Sequence, residues 1–229
     1  MKKIAIFVEG QTEVVFTQNL LNEIIGNHNL QIESVSNNIH LNLSRISEPN
    51  NNIEHFVLLV DCGGDITVKQ KIKDNEQILS KSGYSRIIGL RDLYPLTIDN
   101  LPRLEEGLRT GIGNYLPSNI IIAVMEIECW FIQVRNHFLN IDATLTPEYI
   151  ETNTGFNPQS HDATLIQQPS LLLNAIYNLV GLEYKKKLYQ SRTVCDFIDY
   201  EELYFETTQS NNKLKQFIDE IEFSLFEEE

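Results

Sequence analysis

Cysteine is scarce: Cys62, Cys129 and Cys195 are the only three in 229 residues, far apart and outside any Cys-x-x-Cys or Cys/His grouping. That excludes a thiolate zinc site and a disulfide framework, and leaves reduced, mostly buried thiols. Basic residues are in deficit too, 18 against 32 acidic ones, for a formal net charge of −14. Sequence-independent affinity for nucleic acid comes from Lys and Arg neutralising phosphates. Any nucleic acid this chain handles therefore needs divalent cations, a local basic patch or a basic partner. No segment reaches the roughly 18 consecutive apolar residues of a spanning helix, so no membrane crossing is expected. The opening Met1-Lys2-Lys3 and its short apolar run imitate a signal peptide, but Glu9 interrupts the run and no small-residue cleavage site follows. It reads instead as the first strand of a cytoplasmic protein. The histidines His28, His40, His55, His137 and His161 lack ligand spacing and read as surface or loop residues. There is no internal repeat and no long low-complexity tract.

What the chain does have is ordinary globular composition, 42% hydrophobic and 22% charged, and a pattern of apolar runs that end in acids. Ile4 to Val8 leads into Glu9, Phe56 to Val60 into Asp61, Ile87 to Arg91 into Asp92, and Ile120 to Met125 into Glu126 and Glu128. In an open, mostly parallel sheet the ligand crevice lies outside the carboxyl ends of the strands, so acids placed there converge and read as a metal site. Between the runs lie helical patterns: Thr12 to Ile25, with Val15, Phe16, Leu20 and Ile24 on one face, then Thr67 to Lys81, then Leu101 to Gly107. This βα alternation predicts an α/β fold, a mostly parallel sheet with helices on both faces. Residues 27–52 read as irregular, with one short strand in Ile39 to Leu43.

After Trp130 the character changes. Phe131 to Leu139 reads as a helix, and Asp142 to Gln168 as a polar loop holding one short helix. Helices around Ser170 to Val180, Glu183 to Phe197 and Lys213 to Phe226 precede the acidic tail Glu227 to Glu229. The chain divides on this reading into an α/β domain, 1–132, and a mainly helical extension, 133–229.

The segment Val8-Glu9-Gly10-Gln11-Thr12-Glu13 resembles the opening motif of Toprim domains, in the form seen in OLD-type nucleases. Asp61-Cys62-Gly63-Gly64 is similar to the glycine turn after the second Toprim strand, and Ile88 to Asp92 to the third strand and its acidic motif. Glu126-Ile127-Glu128-Cys129-Trp130 resembles a glutamate-rich segment of small bacterial Toprim-like proteins, as Pro169-Ser170 and Tyr184-Lys185-Lys186 resemble their ends. Where Toprim domains carry Asp-x-Asp, this chain has Asp92-Leu93-Tyr94, with Asp61, Glu126 and Glu128 able to compensate. The resemblance implies a Toprim-like, Rossmann-like domain and a Mg2+- or Mn2+-dependent nuclease acting on DNA or RNA. It also implies an ABC- or AAA-type ATPase partner and a role in phage defence, and it allows a homodimer.

Magnesium takes oxygen ligands and is usually held by one or two carboxylates plus substrate phosphate. Glu9, Asp92 and Glu128 are the expected primary ligands, with Glu13 and Glu126 placing a second ion or water. Glu126 and Glu128 share a face if the strand continues past Met125, and diverge by about 200° if a helix starts there. Lys186 is the candidate to offset charge at the leaving group, against a plain reading of Lys185 to Lys187 as a solvated helix face. Glu13 also reads as a first-turn acid of its helix, Asp61 as a turn residue, Arg91 as structural and Trp130 as core. Two other functions remain open: a catalytically weak Toprim-like binding subunit, and a phosphoesterase acting on small molecules.

Overall fold

The computed structural model of the chain describes residues 1–26, 29–36, 43, 46–47, 49–50 and 52–226. Its elements run β1 (Lys2–Val8), α1 (Gln11–Ile25), β2 (Leu30–Ser36), β3 (His55–Asp61), α2 (Asp65–Lys81), β4 (Arg86–Asp92), α3 (Leu101–Arg109) and β5 (Ser118–Ala123). Then follow α4 (Glu128–Gln133), α5 (His137–Ile141), α6 (Pro147–Thr154), α7 (Pro169–Asn178), α8 (Leu188–Asp196), α9 (Tyr200–Glu202), α10 (Thr208–Ser210) and α11 (Asn212–Phe226). The five strands form one parallel sheet in the order β2-β3-β1-β4-β5. The fold is thus α/β and Rossmann-like, as the βα alternation predicts. Strands β1 and β3 are buried along nearly their whole length, which is why they read as continuous apolar runs and not as alternating ones.

Registers run from Lys2↔His55 to Val8↔Asp61 between β1 and β3, and from Ile4↔Arg86 to Val8↔Leu90 between β1 and β4. The connection through α1 leaves β1 toward β2, whereas that through α3 leaves β4 toward β5. Neighbouring strands therefore exit in opposite directions, and such a switch point is where open parallel sheets place ligands. Asp92 is the last residue of β4.

The chain forms two compact units, one of residues 1–91, 102–122 and 216–229, the other of 92–101 and 123–215. The backbone passes between them several times, where the sequence reading divides it once, at residue 132. In the first unit the core comprises Ile4 to Val8, Phe16, Leu20, Val57 to Val60, Ile72, Ile87 and Ile88, all buried. Gly89 is required by packing: a Cβ there would meet Ile120 Cγ1 at 2.8 Å. Arg91 pairs with Asp65 at 2.9 Å, and Asp61 Oδ1 accepts from Gly63 N at 2.9 Å, so both take the structural roles the sequence suggests. The end of α11 belongs to this unit, where Glu220 pairs with Arg86 at 2.8 Å.

Several local expectations are corrected. Strand β2 occupies Leu30–Ser36, within a stretch expected to be irregular; it lies at the sheet edge, half-exposed, and carries mixed polar and apolar residues. The expected strand at Ile39 to Leu43 falls, except for Leu43, outside the described residues, as do His28 and His40. In the second unit, the single helix expected over Phe131 to Leu139 is two, α4 and α5. The Glu202 carboxylate accepts from Arg135 N at 2.6 Å and Asn136 N at 3.0 Å, satisfying amides that a continuous helix would bond internally. The helix expected from Glu183 starts only at Leu188. Asn174 accepts from Tyr184 N and Gln190 from Lys185 N, which holds 184–185 out of the helix.

His55 and His137 are buried, against the expectation of surface positions. His137 Nε2 lies 2.7 Å from Tyr177 Oη, and burial pulls its pKa down from 6.5 to about 4. The folded state thus disfavours the proton. As pH falls below 6.5 the unfolded chain protonates first, and stability is lost until the folded pKa near 4 is reached. Chemical denaturation of wild type and His137→Gln between pH 7 and 4 should show a wild-type-specific loss of roughly 3 kcal/mol. Parallel curves for the two proteins would refute this.

Candidate metal centre

The site lies in the second unit and begins where the sheet pairing runs past the strand ends. Leu93 N donates to Ala123 O at 2.9 Å and Tyr94 N to Met125 O at 2.7 Å, which lays Asp92 alongside the exit of β5. Met125 then turns left-handed, with φ of 63°. A non-glycine residue there costs of order 1–3 kcal/mol and persists only where its surroundings hold it. After this turn Ile127 N donates to Asp92 Oδ1 at 2.9 Å, and α4 starts at Glu128. The β5–α4 connection is therefore wrapped around one carboxylate.

Each of the other two acids is held by a partner distant in sequence. Glu126 accepts from Ser170 N at 2.8 Å and from Ser170 Oγ at 3.1 Å, in the first turn of α7, where backbone amides lack helical partners and favour an anion. Glu128 is fully buried, and its Oε1 accepts from Tyr184 Oη at 2.6 Å. One oxygen from each of Asp92, Glu126 and Glu128 lies within 4.8 Å of the others. Among them sits the Lys186 ammonium, 3.0 Å from Glu126 Oε1, 3.1 Å from Glu128 Oε2 and 3.8 Å from Asp92 Oδ2. Lys186 is itself left-handed, with φ of 52°.

Three carboxylates and one ammonium carry two net negative charges when all are ionised, in a place where charge is poorly solvated. Burial raises the Glu128 pKa, the nearby Lys186 charge opposes the rise, and Glu126 adds to it. Glu128 Oε2 lies 3.1 Å from the Lys186 ammonium and takes no other donor among the described residues. A hard divalent cation suits this donor set: anionic oxygens, net negative charge and one buried oxygen whose partner is a cation. Asp92, Glu126 and Glu128 would hold it. Cys129 would not, because its buried thiol faces Ala163 O at 3.2 Å and its pKa is raised.

Asp92, Glu126, Glu128 and Lys186, all singled out in the sequence, thus come together. Glu9, after β1, and Glu13, buried in the first turn of α1, belong to the first unit and are not members of this acidic group. Neither expected geometry for Glu126 and Glu128 applies. A left-handed residue, not a strand or a helix, separates them from β5. Lys185 to Lys187 precede α8 and do not form a solvated helix face. The contributions of Ser170 and Tyr184 were not anticipated; the Toprim resemblance marks both segments without assigning them a role. Tyr94 Oη accepts from Gln168 Nε2 at 2.8 Å.

No helix among the described residues is long and apolar enough to cross a membrane. No protein-family model, no curated protein and no solved structure matches the chain, so the reading of this site rests on its own geometry and chemistry.

Proposed function

We propose that this chain is a divalent-metal-dependent phosphodiesterase of the Toprim type, a nuclease acting on DNA or RNA. The observation that carries the reading is the convergence of Asp92, Glu126, Glu128 and Lys186 at the end of β4. Bound Mg2+ or Mn2+ would neutralise developing charge on the phosphoryl group and make water nucleophilic at neutral pH. The chain's own part is positional. Ile127 N, Ser170 and Tyr184 fix the three carboxylates, and Lys186 brings a positive charge to the place where a phosphate would arrive. The net charge of −14 works against unaided binding of a polyanion. A basic partner is therefore part of the proposal, and the Toprim resemblance points to an ATPase in a cytoplasmic phage-defence system.

The test is cleavage of mixed DNA and RNA, and of a small chromogenic phosphodiester, at low salt with Mg2+ or Mn2+, comparing wild type, Asp92→Asn and Glu126→Gln. Cleavage should need the metal and drop in both variants beyond the roughly 10–100-fold typical of losing a partner behind a ligand. Cleavage unaffected by chelator, or retained in both variants, would sink the proposal. A second reading, a metal-binding but catalytically weak subunit, is favoured by the lysine ammonium seated among all three carboxylates. Metal binding without cleavage of any of these substrates would select it.

A further inference from the structure

We infer that Lys186 is a tethered counter-ion that competes with the divalent cation for Asp92, Glu126 and Glu128, so that metal loading and release of the lysine are a single exchange. The inference rests on the metal reading above and adds how the site is regulated. Its first support is space. The ammonium is 3.0, 3.1 and 3.8 Å from one oxygen of each acid, and the acidic oxygens lie within 4.8 Å of one another. An ion bound to the same oxygens at about 2.0–2.6 Å would sit almost where Nζ does. Two cations so close, in a poorly solvated place, repel too strongly to coexist.

The second support is charge. The ammonium offsets one of three negative charges, whereas a divalent ion offsets two, so the exchange leaves the carboxylates better neutralised. The third is an asymmetry of restraint. Asp92 is held by Ile127 N, Glu126 by Ser170 and Glu128 by Tyr184, all of them buried acids. Lys186 instead lies on the non-helical stretch between α7 and α8, and its side chain is 39% exposed against 0–7% for those of the three acids. The lysine is the member that moves. Once displaced it moves to the solvent side, where it can meet the phosphate of an incoming substrate.

Mn2+ titration calorimetry on the full chain tests the exchange, using wild type, Lys186→Met and Lys186→Arg. The methionine variant should bind Mn2+ roughly tenfold or more tightly than wild type, having lost the competing charge, and the arginine variant should stay near wild type. A second measurement needs only wild type: amine labelling read by mass spectrometry, in which Lys186 should become several-fold more reactive on adding Mn2+ while Lys185 does not change. If Mn2+ binds to wild type and Lys186→Met with equal affinity, or labelling of Lys186 does not rise, the exchange is overturned and the metal site stands. If neither protein binds Mn2+, the metal site falls and the exchange with it.

Discussion

Glu128→Gln is expected to remove divalent-ion binding and metal-dependent cleavage while making the metal-free protein more stable. Glutamine keeps the size of the side chain, and with its carbonyl turned to the Lys186 ammonium its Nε2 can donate to Tyr184 Oη, so packing and both contacts have a replacement. Lys186 is not stranded, because Glu126 and Asp92 still face it. What disappears is one buried negative charge from a group that carries too many. Removing one partner of an isolated buried pair is destabilising because the other charge is stranded; here Lys186 keeps two carboxylates, so relief of the excess negative charge leaves a net gain of about 1 kcal/mol.

The pH dependence of that gain has a definite sign. The folded pKa of Glu128 is raised above 4.5, mainly by burial. Below 4.5 the acid is protonated in both states and costs nothing. As pH rises through 4.5 the unfolded chain ionises first, and wild type loses stability until the folded group ionises as well. The variant's advantage should therefore be absent near pH 4 and present at pH 7. Thermal melts at the two pH values, with and without Mn2+, check this. A variant that keeps its Mn2+ response would remove Glu128 from the ligand set. A variant less stable than wild type at pH 7 would overturn the electrostatic account.

Trp130→Ala is expected to have the largest effect on stability, a loss of about 3–5 kcal/mol in denaturant unfolding. Trp130 is 0% exposed, and Ile127, Cys129, Phe131, Ile132 and Val134, which flank it in the sequence, are buried as well. Helix α4 has six residues, far fewer than the ~12–15 that an isolated helix needs to persist in water. Its stability must come from burial. The same helix starts with Glu128, so the variant should also weaken Mn2+ binding, whereas Trp130→Phe should cost much less in both respects. A loss below about 1 kcal/mol would mean that the surroundings collapse to fill the space, and that α4 does not depend on its tryptophan.

The sheet was legible because buried parallel strands are unbroken apolar runs, and β1, β3, β4 and β5 all carry that signature. The long helices α1, α2 and α11 were legible from apolar spacing. Strand β2 was not, since a half-exposed edge strand shows no clean alternation. Burial of His55 and His137 was equally hidden, because a histidine's surroundings are set by residues far away in the chain.

The sequence by itself determined the α/β class and put Asp92, Glu126 and Glu128 at the ends of strands, because strand propensity and burial are local and periodic properties. Only the tertiary structure decided which acids meet. It chose a left-handed turn at Met125 over a strand or a helix, and placed Lys186 among Asp92, Glu126 and Glu128. The contacts that secure the group join residues 44, 56 and 60 positions apart, from Glu126 to Ser170, Glu128 to Tyr184 and Glu126 to Lys186. A pairing over that distance leaves no mark in local composition. It exists only because packing of α4 and α7 and the path of the chain into α8 bring those side chains to one place.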